Sequence, residues 1–137
     1  MALDASALPI PLLGFLPPED ERVRATVDAI AAELTVDGLV LRYRPSETDD
    51  GLSGDEGTFT ICSFWLVSAL ATMGETKRAS SMCAKLLSLA SPLQLYAEEI
   101  EARSGRHLGN FPQAFTHLAL IDAVLRVIAA EQLAASA

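Results

Sequence analysis

The chain is predicted to be all-α, about five helices arranged as antiparallel helical hairpins. Two observations predict this. Apolar residues recur at helical spacing through most of the 137 residues, and Gly and Pro fall where helices stop and start. No stretch reads as a convincing strand, and no repeat of fixed period is visible.

The elements follow in order. Residues 3–13 are apolar, with Asp4 or Ser6 as caps and Gly14 as terminator, and Pro9 and Pro11 make this helix short or kinked. Pro17-Pro18 resets the chain. Glu19, Asp20 and Glu21 then load the next first turn with acid, as the helix dipole favours. That helix runs to about Leu34 on a stripe of Val23, Val27, Ile30, Ala31 and Leu34. Residues 36–56 form a long loop, rich in Gly, Ser, Asp and Glu after a brief extended piece at Leu39–Tyr43. A loop of that length is usually functional. Thr58–Met73 is apolar nearly all round, which marks a helix buried on most faces. Gly74 closes it, and Glu75–Ala90 is amphipathic, with Ala79, Met82, Cys83, Leu86, Leu87 and Leu89 inward. The last helix starts near Phe111 or Pro112 and passes Phe115, Leu118, Ile121, Leu125 and Ile128 to an Ala-rich end. It and the helix at 58–73 are hydrophobic enough to want neighbours on both sides.

Composition excludes several functions. Half the residues are hydrophobic and a fifth charged, so the chain is globular rather than disordered. Its net charge of -8 and scattered Lys and Arg argue against nucleic acid, which needs a clustered basic face. Cys62 and Cys83 read as buried thiols, and with two His in the chain no metal site is expected. The N-terminus lacks a basic signal-peptide start and its apolar run is broken by prolines, so no membrane span is expected and the cytoplasm is the expected location.

The stretch Tyr96–His117, YAEEIEARSGRHLGNFPQAFTH, sets a carboxylate pair on a polar turn between two helices. Together with LDASALPIPLLGFLPPEDERVRATVDAI and EGTFTICSFWLVSALATMGE it resembles the C-terminal part of family-fifteen glycoside hydrolases, the glucoamylase and trehalase-like enzymes. The resemblance covers almost the whole chain in the right order. It implies a partial (α/α)6 barrel, residues 1–137 forming one partial catalytic domain. The buried helices would be inner ones and the helix at 75–90 an outer one.

The same resemblance implies inverting hydrolysis of α-glucosidic bonds, in trehalose or α-glucans; no cofactor is expected, with dependence on phosphate or magnesium left open. Glu98 aligns with the general base, while Glu99 is a surface or pocket-rim residue. Arg42 looks like the arginine that donates to sugar hydroxyls, and Arg44 is an alternative for that role. Tyr43, Trp65 and Phe115 are candidate sugar-stacking groups, as is Phe59, with core packing as the competing reading for each. His117 is either a packed histidine or a pocket residue that orients the base or the substrate. His107 falls in the turn with no role expected. Asn110 and Gln113 have the chemistry to bond a sugar, though Asn110 also suits the N-cap of the last helix. Asp4–Ser6 resembles a block near the pocket mouth, without an assigned role.

The family's general acid, a Glu following Trp, has no counterpart here: Leu66 follows the single Trp65. A short reading frame, a truncated gene and a split product all fit that absence. The chain alone is therefore expected to be inactive. An α-glucoside would bind once the barrel is completed by a separately encoded N-terminal half, and a homo-oligomer is the other expected association. A tetratricopeptide-like interaction module is the alternative, on WLVSALATMGETKRASSMCAKLL with Gly74 at its turn.

Overall fold

The computed structural model describes residues 3–44 and 57–136, so residues 45–56 of the predicted loop lie outside the described part. Its first element is a 3-10 turn, Ala5–Ala7, capped by Asp4, whose Oδ1 accepts from the Ser6 amide at 2.8 Å. Helix α1, Pro9–Leu12, follows at once. Both prolines sit within its single turn, where a missing N–H costs nothing. Gly14 leaves the turn at φ +68, so the helix stays short as expected.

Helix α2, Glu21–Glu33, starts on Asp20, whose carboxylate accepts from the Arg22 amide at 2.9 Å. The Arg22 side chain also donates to this carboxylate and holds it well below the usual range, at about 2. Val23, Val27, Ile30 and Leu34 are buried as the stripe predicts, and Ala31 is half-buried. A two-residue turn, Asp37 at φ 48 and Gly38 at φ 78, then reverses the chain between β1, Thr35–Val36, and β2, Leu39–Val40. Two positive φ values in succession are what a type I′ hairpin requires.

Strand β3, Thr58–Phe59, leads directly into α3, Thr60–Thr72. This helix is buried on nearly every face. It lies against α1, α2, the hairpin strand β2, α4 (Thr76–Ser88) and α5 (Ala114–Ser136). Gly74 at φ +81 turns the chain from α3 into α4. On α4, Ala79, Cys83 and Leu86 are buried, whereas Leu87, expected inward, is exposed. Position 87 follows a buried residue directly, and adjacent residues on a helix point about 100° apart.

The remaining strands are β4, Glu99–Ile100, and β5, His107–Leu108. They complete an antiparallel sheet of order β3-β4-β5, with Thr58 opposite Ile100 and Glu99 opposite Leu108. These strands correct the expectation of none, while the chain remains mostly helical. Each of the five among the described residues is two residues long, too short for alternation to register in sequence. The last helix begins at Ala114, two or three residues later than expected.

Helix α5 is covered on one side only. Ala119, Ala123 and Val127 are buried, while Phe115, Leu118, Ile121, Leu125 and Ile128 are exposed. A polar seam fixes it against α3: Ser68 Oγ donates to Asp122 at 2.8 Å, and Arg126 bridges Asp122 and Thr72 Oγ1. The spacing 118, 121, 125, 128 is a heptad-like stripe of the kind that normally meets another helix. No helix among the described residues is long and apolar enough to cross a membrane.

Candidate functional site

The segment Tyr96–Ala97–Glu98 runs past the N-terminal ends of α3 and α5 and is tied to both. The Tyr96 amide donates to His117 Nε2 at 3.2 Å, and the Tyr96 carbonyl accepts from the Gln113 amide at 3.0 Å. The Ala97 carbonyl accepts from Thr116 Oγ1 at 3.3 Å. The Glu98 amide donates to the Asn110 carbonyl at 2.9 Å, and the Glu98 carbonyl accepts from the Thr60 amide at 3.0 Å. Thr60 is the first residue of α3, so its N–H is one of the donors a helix leaves unpaired. Satisfying it with the Glu98 carbonyl fixes the carboxylate-bearing residue to the helix end.

Tyr96 anchors the segment from below. It is 1% exposed, its hydroxyl donates to the Leu86 carbonyl at 2.9 Å, and its ring meets Phe64 edge-on at 5.5 Å. Burial raises its phenol above the ordinary value. His117 meets the same ring edge-on at 5.9 Å, and His107 stacks on it at 6.1 Å. His107 is thus half-buried against the core, with Nε2 at 2.9 Å from the Leu89 carbonyl, rather than an idle turn residue. Pairing of β5 with β4 is what carries it there.

Glu98 lines a cavity of about 200 Å³ together with Arg42, Trp65 and Phe115, so four of the expected site residues come together. Ser6, Phe59, Ile61, Cys62, Gln113 and Thr116 complete its wall. Glu98 is the one carboxylate of that wall among the described residues. Both recorded hydrogen bonds to it, from the Asn110 amide at 3.2 Å and Asn110 Nδ2 at 3.1 Å, fall on Oε2. Oε1 accepts none among the described residues. Glu99 points elsewhere and accepts from the Gly57 amide at 2.8 Å, a structural bond at the sheet edge. Burial pushes the Cys62 thiol up to about 12, against the opposing pull of Arg42, so it stands in the wall as a neutral group.

Arg42 is held by its carbonyl, which accepts from the Ala5 amide at 2.8 Å, and its guanidinium lies 5.5 Å from the Tyr43 ring centroid. Arg44 instead donates to the Glu33 carbonyl at the end of α2, at 2.9 Å. Of the two candidate arginines, Arg42 is the one that lines the cavity. Tyr43 stands behind Arg42, outside the lining. His117 is also outside it: Nδ1 is 2.7 Å from the Gln113 carbonyl while Nε2 accepts from Tyr96. A donor at Nδ1 and an acceptor at Nε2 define a neutral imidazole.

Sequence reasoning missed Gly109 and did not foresee the part Asn110 plays, while Ser6, read as part of a block near the pocket mouth, lines the cavity. Asn110 does not cap α5, which begins at Ala114; its side chain holds Glu98. Gly109 sits at φ +71, and a Cβ there would lie 2.8 Å from Glu98 Oε2. A Gly-Asn pair reads simply as a turn, so no local signal links it to a carboxylate eleven residues earlier. Gly109→Ala is expected to displace the Glu98 carboxylate and to cost about 1–2 kcal/mol in urea unfolding, from the left-handed backbone alone. Unchanged stability would show that the turn relaxes at no cost.

Among the described residues no group of three or more His, Cys, Asp and Glu side chains is placed to hold a metal ion. The model for glycosyl hydrolases family 15 matches residues 1–125. Curated relatives include a trehalase of Mycobacterium tuberculosis, 75% identical over 131 residues, which are 96% of this chain and 19% of the relative. A trehalase of Thermoplasma volcanium is 47% identical over 120 residues, 87% of this chain and 19% of the relative. Trehalase 1 of Sulfolobus acidocaldarius is 32% identical over 125 residues, 91% of this chain and 22% of the relative. The chain thus spans about a fifth of the length of the curated relatives it matches. No solved structure matches it.

Proposed function

The chain belongs to glycosyl hydrolases family 15, and on that premise we propose that it carries the general-base side of an inverting α-glucosidase pocket, with trehalose as substrate. The observation that supports this most is the shared cavity of Glu98, Arg42, Trp65 and Phe115. Trehalose is the choice among α-glucosides because the relatives named above are trehalases.

In this reading a water lies between Glu98 and the anomeric carbon. Glu98 Oε1 takes its proton as the water oxygen bonds to that carbon from the face opposite the leaving glucose. The glycosidic bond breaks, and the leaving oxygen takes a proton from a second carboxylic acid. The two carboxyls must stand roughly 6.5–9.5 Å apart to leave space for the water. Arg42 donates to sugar hydroxyls, for which a planar cation with several donors is suited. Trp65 and Phe115 give the sugar an apolar face, Tyr43 steadies Arg42, and His117 orients the base through the Tyr96 amide.

The second acid and the opposite wall come from outside these residues. A cavity of about 200 Å³ is smaller than the roughly 300–1,000 Å³ usual for ligand sites. The bare stripe on α5 supports the same view, since exposed apolar patches of this kind mark association surfaces. We assign that stripe to the helices that complete the barrel. The helical-repeat alternative is not favoured, because it leaves the family match over residues 1–125 unexplained.

The test is an assay of the purified chain with trehalose and with maltose. No turnover is expected. Turnover that disappears in Glu98→Gln would overturn the incomplete-pocket reading while keeping the base.

A further inference from the structure

We propose that Asn110 is a positioning residue that makes Glu98 a one-sided base, fixing Oε2 so that Oε1 alone serves the attacking water. The inference rests on the reading of Glu98 as the base.

Three hydrogen bonds join the two residues. The Asn110 amide and Nδ2 both donate to Glu98 Oε2, at 3.2 and 3.1 Å, and the Glu98 amide donates back to the Asn110 carbonyl at 2.9 Å. A carboxylate has two equivalent oxygens and turns readily about its terminal bond. Two donors on one oxygen remove that equivalence. They hold one oxygen in place and leave the other, which accepts no bond among the described residues, as the proton acceptor. Gly109 makes the arrangement possible, because a side chain there would meet Oε2 at 2.8 Å. Asn110 is exposed and stands outside the cavity wall, so its influence on a substrate passes through Glu98. A base that must meet a water in one direction depends on such placement, since small errors of position cost large factors in rate.

The clamp is tested first on the chain itself by NMR. The Nδ2 protons of Asn110 are expected to exchange with water about 10-fold slower than those of a free side-chain amide, the protection a charge-assisted bond gives. In Asn110→Ala the Glu98 carboxyl carbon resonance should move, with the rest of the spectrum and the thermal midpoint preserved. Fast Nδ2 exchange together with an unmoved carboxyl resonance overturns the clamp, whatever Glu98 does in catalysis.

The catalytic consequence is read in the barrel completed with the part of the mycobacterial relative that the match leaves out. There Asn110→Ala should lower kcat by about 10- to 100-fold with KM held. Asn110→Asp, isosteric but with a carboxylate for its amide, should lower it further. A purely structural role would instead lower the thermal midpoint and the active fraction, leaving kcat per active site unchanged. Glu98→Gln is measured alongside. If it keeps full turnover, the base reading fails and the positioning role falls with it. If it is dead while Asn110→Ala keeps a normal kcat, the positioning role alone is overturned.

Discussion

Glu98→Gln is expected to cut trehalose turnover by about 10²–10⁴-fold in a completed barrel, the range typical of general acid–base catalysis. KM should change little, because the lost interaction is made in the transition state rather than in the bound ground state. The local geometry explains why so small a change has so large an effect. Asn110 presents two donors at the position of Oε2. A glutamine at 98 satisfies them by turning its carbonyl oxygen toward them. Its NH2 group then takes the place of Oε1, where the water needs an acceptor. The variant is thus sterically conservative and chemically inverted. Folding should be little affected, since position 98 is only half-buried and its backbone bonds to Thr60 and Asn110 are unchanged. Urea unfolding of the variant separates the two effects. Loss of turnover at normal stability identifies the base, and retained turnover places it elsewhere.

Tyr96→Ala is expected to have the largest effect on stability, about 3–5 kcal/mol by analogy with other large aromatic truncations. Against a typical total of roughly 5–15 kcal/mol, that brings the chain close to unfolding. Tyr96 is 1% exposed and is surrounded by Phe64, His107 and His117, with its hydroxyl bonded to Leu86. Truncation leaves a cavity, removes one of the two donors on the Leu86 carbonyl, whose other is the Leu89 amide, and slackens the support two residues from Glu98. Tyr96→Phe separates packing from hydrogen bonding. It keeps the ring contacts and loses one buried bond while the Leu86 carbonyl keeps the Leu89 amide, for about 0.5–1.5 kcal/mol. A Tyr96→Ala loss below about 1 kcal/mol in urea unfolding would mean that the ring does not support the segment.

The longer helices were legible because each carries enough residues for a period to emerge. The buried stripe of α2 and the apolar circumference of α3 appear in the structure where the spacing puts them. The strands were not legible, because a two-residue bridge has no period and is stabilised by its partner rather than by its own sequence. The exposed side of α5 was half legible. Its all-round hydrophobicity announced that it wanted two neighbours, and the structure shows one side filled and the other bare.

The site divides in the same way. Glu98, Arg42, Trp65 and Phe115 lie far apart in sequence, and it was the family resemblance, not spacing, that brought them to one pocket. Which of Arg42 and Arg44 lines the cavity was not legible in the sequence, and Arg44 is taken up by the carbonyl end of α2. Asn110 and His117 were harder. His117 meets the Tyr96 amide and Asn110 the Glu98 carboxylate, groups that become neighbours only when the turn folds back on itself. A sequence names its side chains, but not which partner each one will meet.

The most direct measurement is of the sugar released when this chain is combined with the part of the mycobacterial relative that the match leaves out. Neither part alone should hydrolyse trehalose, and the mixture should do so in a manner that depends on Glu98. NMR of the fresh products should show one glucose appearing as the β-anomer before mutarotation, because water attacks from the face opposite the leaving α-linked sugar. A mixture that stays inert, or one that releases both sugars as the α-anomer, would contradict the assignment of Glu98 as an inverting base.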